Sequence, residues 1–135
     1  MPGWGTGSFE NEDARNLLGR LNSLGLDDLR QILAHAADRN YVDAPESGTA
    51  VAAAEIVAAF VAAAKDETAL LSTPRQVIDW VRKSKAAVPP DLVDLARRAV
   101  ERVRSNSELK DLWLEAEGLN EWSAALRNLE KRLGT

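Results

Sequence analysis

From Asn11 onward the apolar residues recur three and four positions apart, the spacing of one face of an α-helix, and nowhere do they alternate as a half-buried strand requires. The pattern predicts a first helix capped by Asn11, acidic in its first turn at Glu12 and Asp13, with Ala14, Leu17, Leu18, Leu21 and Leu24 on one side and Gly25 as its stop. A second helix is expected from an Asp27 cap, with Leu29, Ile32, Leu33 and Ala36 inward and Asn40 as its end. Tyr41 to Gly48 reads as a loop. So do the first eight residues, where Gly3, Gly5 and Gly7 alternate around Trp4 and Thr6.

The third helix, about Thr49 to Ala64, differs from the others because alanine occupies nearly every side and Val51, Ile56, Val57, Phe60 and Val61 add bulk. A helix apolar all round belongs in the middle of a fold, and its short side chains let neighbours approach closely. Thr73-Pro74 opens a fourth helix on Val77, Ile78 and Val81 that ends near Ser84. A fifth runs from about Asp91 to Arg104, a sixth from a Ser107 cap through Leu109, Leu112, Trp113 and Ala116 to Gly118, and a seventh from an Asn120 cap through Trp122, Leu126, Leu129 and Leu133. The expectation is all-α: a compact bundle of about six to seven short helices around a central alanine-rich helix, with an ordered N-terminal Trp/Gly loop, forming one domain over residues 1–135.

Composition narrows this picture. A chain of 135 residues that is 45% hydrophobic and 28% charged is long and apolar enough to bury a core. The absence of cysteine excludes disulfides, thiolate metal sites and thiol nucleophiles, and it fits the reducing cytoplasm, where we place the chain. The start Met1-Pro2-Gly3-Trp4 lacks the basic and apolar regions of a secretory signal, and the run Thr49 to Ala64 falls short of a bilayer's thickness, so no membrane partner is expected. Net charge is −4, yet residues 73–106 hold eight bases against four acids. Overall acidity argues against nucleic acid as a specific partner.

The segment Trp4-Gly5-Thr6-Gly7-Ser8-Phe9-Glu10-Asn11-Glu12-Asp13-Ala14 resembles the start of an uncharacterised bacterial family, domain of unknown function 4259. Ala53-Ala54-Glu55-Ile56-Val57-Ala58-Ala59, Leu95-Ala96-Arg97-Arg98-Ala99, and Ser107-Glu108-Leu109 with Trp113 and Trp122 resemble its later segments in order and spacing. Asn16-Leu17 departs from that family's pattern, where an acidic residue and tryptophan are common. The resemblance implies a small, largely helical bacterial protein and brings no activity or catalytic residue with it.

Among the residues that could carry chemistry, the Trp4–Gly7 loop has glycine amides able to face an anion, but no strand precedes it and no lysine follows at phosphate-loop spacing. The role expected for it is structural, letting Trp4 and Phe9 plug the core with Asn11 capping the first helix, and the alternatives are a ligand site or a partner contact. Glu55 shares a side of the third helix with Val51, Ala58, Ala59 and Ala62, so its carboxylate is expected to point inward and to need donors. Two roles stand open for it: a structural anchor accepting hydrogen bonds from the loop amides, the Thr6 hydroxyl or a tryptophan indole, or a general base or metal ligand acting with Glu10, Asp13 or His35. His35 is the only histidine, and no nucleophile-elbow pattern accompanies it. No metal site and no cofactor are expected from one imidazole and scattered carboxylates. The basic block, Arg75, Arg82, Lys83, Lys85, Arg97, Arg98, Arg102 and Arg104, reads as a solvated face paired with acids or as a contact for one acidic protein partner. Trp80 lies beside the Val77–Val81 line and next to Arg82-Lys83, where an exposed indole anchors an interface.

Two functions are expected. One is a non-enzymatic protein-binding module, immunity or antitoxin-like, presenting Trp80, Arg82, Lys83, Arg97, Arg98 and Arg102 to its partner. The alternative is a small-molecule hydrolase or ligand binder built on Glu55 with Glu10, Asp13 or His35. No acid, base and nucleophile are assembled by the sequence, which favours the first.

Overall fold

A computed structural model of the chain describes residues 12–65, 74–84 and 88–134. Among these lie α1 (Glu12–Gly19), a 3-10 turn (Leu21–Ser23), α2 (Leu26–Asp38), α3 (Ala44–Lys65), α4 (Arg75–Ser84), α5 (Pro90–Ser105), α6 (Glu108–Glu115) and α7 (Leu119–Gly134). The described residues form no strand, so the all-α expectation holds. The N-terminal Trp/Gly loop lies outside the described residues.

The alanine pattern of α3 places it at the centre. Every residue from Ala50 to Phe60 except Glu55 is buried, and α3 packs on α1, α2, α4, α5, α6 and α7. Alanine makes this possible, because a helix ringed by methyl groups can be approached on all sides at short interaxial distance. By length and composition α3 could cross a membrane, yet it is mostly buried inside the bundle, as a core helix is. The amphipathic helix α5 is the second hub, contributing Leu92, Ala96, Ala99, Val100 and Val103 to the core and packing on α2, α3 and α7.

Several boundaries differ from the sequence reading, each for a physical reason. The first helix stops at Gly19 and Leu21 reaches the core from the 3-10 turn, so one apolar stripe is served by two short elements. The second starts at Leu26: the Asp28 carboxylate reaches back to accept from the Gly25 amide at 2.7 Å, and Asp27 is helical. The third starts five residues early, at Ala44. Asp43 caps it, accepting from the Glu46 amide at 2.8 Å through its carboxylate, and Pro45 sits in the first turn, where its missing N–H costs nothing. The seventh starts at Leu119, two positions earlier than an Asn120 cap would set it, with the Gly118 carbonyl accepting from Trp122 N at 3.1 Å.

The Ser107 cap stands as expected: its hydroxyl oxygen accepts from Lys110 N at 3.0 Å while donating to the Val103 carbonyl at 2.6 Å. Around it the α2–α3 and α5–α6 connections are clasped together. Val42 pairs with Ser107 in a single parallel bridge, through Val42 N to Asn106 O at 3.4 Å and Glu108 N to Val42 O at 2.8 Å. Asn106 Nδ2 also donates to Asn40 O, and Ala44 N donates to the Glu108 carboxylate at 2.7 Å. The backbone groups exposed by two helix ends are thereby satisfied reciprocally.

At the end of α6 the backbone closes through two bonds, Gly118 N to Trp113 O at 2.9 Å and Glu117 N to Leu114 O at 3.2 Å. These are the bonds of a Schellman turn, and its left-handed position is filled by Glu117 at φ 60°. Gly118 is needed for another reason: a Cβ there would stand 2.6 Å from Cε3 and 2.8 Å from Cζ3 of the Trp113 ring.

Candidate functional site

Glu55 is the charged interruption in the buried run of α3, and its side chain is only 14% exposed. Its described partner is Arg132 of α7, whose Nη2 donates to Glu55 Oε2 at 3.2 Å and whose Nη1 donates to Oε1. Asn128, one turn earlier, accepts from Arg132 Nε at 2.8 Å and so fixes the guanidinium. The inward carboxylate was legible in the sequence, whereas Arg132 as its donor was not among the expectations. The signal existed: Ala125, Leu129 and Arg132 continue one helical line beside Leu126 and Leu133. The donors expected for it in the N-terminal loop, together with Trp4, Gly5, Thr6, Gly7, Phe9, Glu10 and Asn11, lie outside the described residues.

The other members of the supposed acid–base set have their own neighbours. Asp13 on α1 sits with Glu12 and Asp43; burial, then those two charges, hold its carboxyl above the usual aspartate range. His35 on α2 is 70% exposed on its side chain, and its Nδ1 lies 3.7 Å from Glu46 Oε1. That glutamate is gripped by Arg39, with Nε 2.7 Å from Oε2 and Nη2 donating to Oε1 at 3.0 Å. The pair flanks an open, mainly apolar hollow of about 400 Å³ between α2 and α3, where Ile32, Pro45 and Thr49 also line the wall. Thr49 is no nucleophile for His35 here, since its hydroxyl donates to the Pro45 carbonyl at 3.0 Å. Among the described residues no three histidine, aspartate or glutamate side chains converge as a metal site.

The basic block divides into paired and open members. Arg104 is bound on two sides by Glu130 of α7, Nε to Oε2 at 2.6 Å and Nη2 to Oε1 at 3.2 Å, and this half-buried contact keeps the guanidinium charged more firmly than usual. Arg97 is paired with Asp94, Arg98 reaches the same carboxylate at only 3.8 Å, and Arg75 stands 3.4 Å from Asp79. Arg98 and Arg102, four apart on α5, line an open polar depression of about 370 Å³ with Ala37, Glu101 and Ser105. Lys83 borders a smaller hollow of about 200 Å³ with Trp80, Asp79, Gln76 and Asn22. Trp80 is half-buried rather than free: its ring meets Phe60 edge-on, centroids 5.4 Å apart at 78°.

One feature escaped the sequence reading. Tyr41, placed in a loop, donates its hydroxyl to Asp111 Oδ2 at 2.7 Å, and that bond pushes its ionisation up to about 12. Nothing in residue spacing announces a bond between positions so far apart.

The molecule is thus an all-helical bundle in which Arg30–Asp91, Arg104–Glu130 and Arg132–Glu55 join pairs of helices, while Lys83 on α4 and Arg102 on α5 stand outside the described ion pairs. It belongs to the family described as domain of unknown function DUF4259, whose pattern matches residues 3–125. No curated protein and no solved structure matches the chain.

Proposed function

We propose that this chain is a non-enzymatic protein-binding module, immunity or antitoxin-like, working as one domain in the cytoplasm without a cofactor. It presents cationic positions on α4, Arg82 and Lys83 beside Trp80, and on α5, Arg97, Arg98 and Arg102, to one acidic protein partner. The observation that carries this reading is the depression between α2 and α5, where Arg98 and Arg102 stand side by side and Arg102 makes no ion pair within the described residues. A guanidinium left without a carboxylate among the described residues on a packed helix, as that of Arg102 is, favours bidentate recognition of a partner's carboxylate. Specificity comes from charge complementarity, which steers encounter and rejects like-charged surfaces.

A photo-crosslinking side chain at position 98, with the exposed position 127 of α7 as control, tests this in the native host. The expected result is one acidic protein captured from position 98, absent from position 127 and lost in Arg102→Glu. Equal capture from both positions would sink the reading.

The alternative, a hydrolase or ligand binder using Glu55 with Glu10, Asp13 or His35, draws support from the raised ionisation of Asp13. Thermal unfolding of wild type and Glu55→Gln with divalent metals separates the two: a metal-dependent rise in melting temperature confined to wild type favours the site.

A further inference from the structure

We propose that the exposed pair Tyr41 and Leu114 is a docking surface for a segment of another protein that carries an apolar side chain flanked by lysine or arginine. The proposal is independent of the cationic face and concerns a surface of opposite charge.

Tyr41 at 48% and Leu114 at 57% are the large hydrophobic residues left exposed among the described residues, and both are linked to Asp111 of α6, one by a hydrogen bond and the other by helical spacing. The Tyr41 hydroxyl is bonded to Asp111, and Asp111 and Leu114 are three apart on α6, so their Cβ atoms are about 5–6 Å apart on one face. Glu108 precedes Asp111 by three positions on α6 and Glu115 follows it by four, which gives this face three carboxylates. The nearest base in sequence, Lys110, turns its Nζ to the Ser105 carbonyl at 3.1 Å. An apolar pair set within acids on this helix matches a partner whose apolar side chain is bordered by cations, and the phenol face adds a cation–π contact. The same charge repels nucleic acid and anionic lipid.

The surface is also stiff. Backbone bonds on both sides of Tyr41 tie it to Asn106 and Glu108, and Asp111 fixes its ring, so ordering on binding sacrifices little freedom. A large, rigid aromatic held this way is the residue type that dominates interface energetics.

The test uses the full chain, labelled for nuclear magnetic resonance and titrated with a short leucine/lysine amphipathic peptide, with oligolysine and a leucine/glutamate peptide as controls. Shifts are expected to centre on Tyr41, Asp111, Leu114 and Glu115 and to saturate. Binding should weaken about tenfold in Leu114→Gln and severalfold in Asp111→Asn, which keeps an acceptor for Tyr41 while removing the charge, and oligolysine should bind about tenfold more weakly. Circular dichroism confirms that both variants fold. Equal binding of oligolysine, indifference to Leu114→Gln, absence of any saturable shift, or shifts centred on another acidic surface would each overturn the proposal. Concentration-dependent shifts at these residues without peptide would overturn it in favour of a second copy of this chain.

Discussion

Neighbouring positions at the end of α6 are expected to respond to substitution with opposite sign. A methyl group at Gly118 would lie 2.6 and 2.8 Å from two carbons of the Trp113 ring, whereas unstrained carbon contacts fall near 3.5–4.0 Å. The ring would have to retreat by about 1 Å, and Trp113 is itself packed against the core, so Gly118→Ala should cost about 1–3 kcal/mol, the usual range for overpacking. Glu117 at φ 60° has the reverse problem: a side chain occupies the left-handed position that glycine adopts freely. Relief of roughly 1 kcal/mol of strain is partly offset by the greater freedom glycine gives the unfolded chain, leaving Glu117→Gly more stable by about 0.5 kcal/mol. Thermal and urea unfolding monitored by circular dichroism read both signs. In a Trp113→Ala background the clash has no partner, so Gly118→Ala should then cost little, and the double-mutant cycle should return a coupling of about 1–2 kcal/mol. If Gly118→Ala costs the same with and without the ring, the close packing of Trp113 is not what requires glycine.

Tyr41 is the only tyrosine, so phenolate absorbance reports it alone: it should ionise near 12 in the native chain and nearer the ordinary 10.0 in Asp111→Asn. Because the unfolded chain ionises first, stability should hold below pH 10 and decline as pH rises towards 12; an ordinary titration in folded wild type would refute the bond. Asp13 has a raised native pKa, so it opposes folding at neutral pH, and that penalty fades as pH falls through its folded value. Asp13→Asn should therefore stabilise by at most about 0.5 kcal/mol at pH 7, since solvent partly screens the half-exposed carboxylate, and the gain should narrow in mildly acid buffer. Ala54 is fully buried in α3 while Ala64 is exposed on it, so Ala54→Leu should cost about 1–3 kcal/mol and Ala64→Leu within about 0.5, by denaturant midpoint.

The centre of the fold was more legible in the sequence than its edges. The alanine run announced α3 as the buried axis, since the burial of Ala52, Ala53 and Ala54 follows from composition alone. Its start was hidden because Pro45, Ser47 and Gly48 resemble a loop when counted by propensity, although Asp43 followed by Pro45 and Glu46 is a capping signature when read by position. Gly118 is recognisable as a stop, but the left-handed residue is Glu117, which propensity disfavours, and the glycine is required instead by the closeness of the Trp113 ring. The direction of Glu55 was legible from helical phase. Its match to Arg132 was not, because which two helices meet is decided by packing and leaves no local mark. Tyr41 with Asp111 was illegible for the same reason.

The clasp at Val42 and Ser107 bears on how such chains diverge. Connections between helices are ordinarily where lineages gain and lose residues at least cost, because each loop varies by itself. Here two connections share their hydrogen bonds, and Glu108 of one supplies a carboxylate that caps the helix begun by the other. A residue gained in either would break pairings in both. Within the family these two stretches should therefore keep a common length and change together, behaving as one inherited unit although more than sixty positions separate them in the chain.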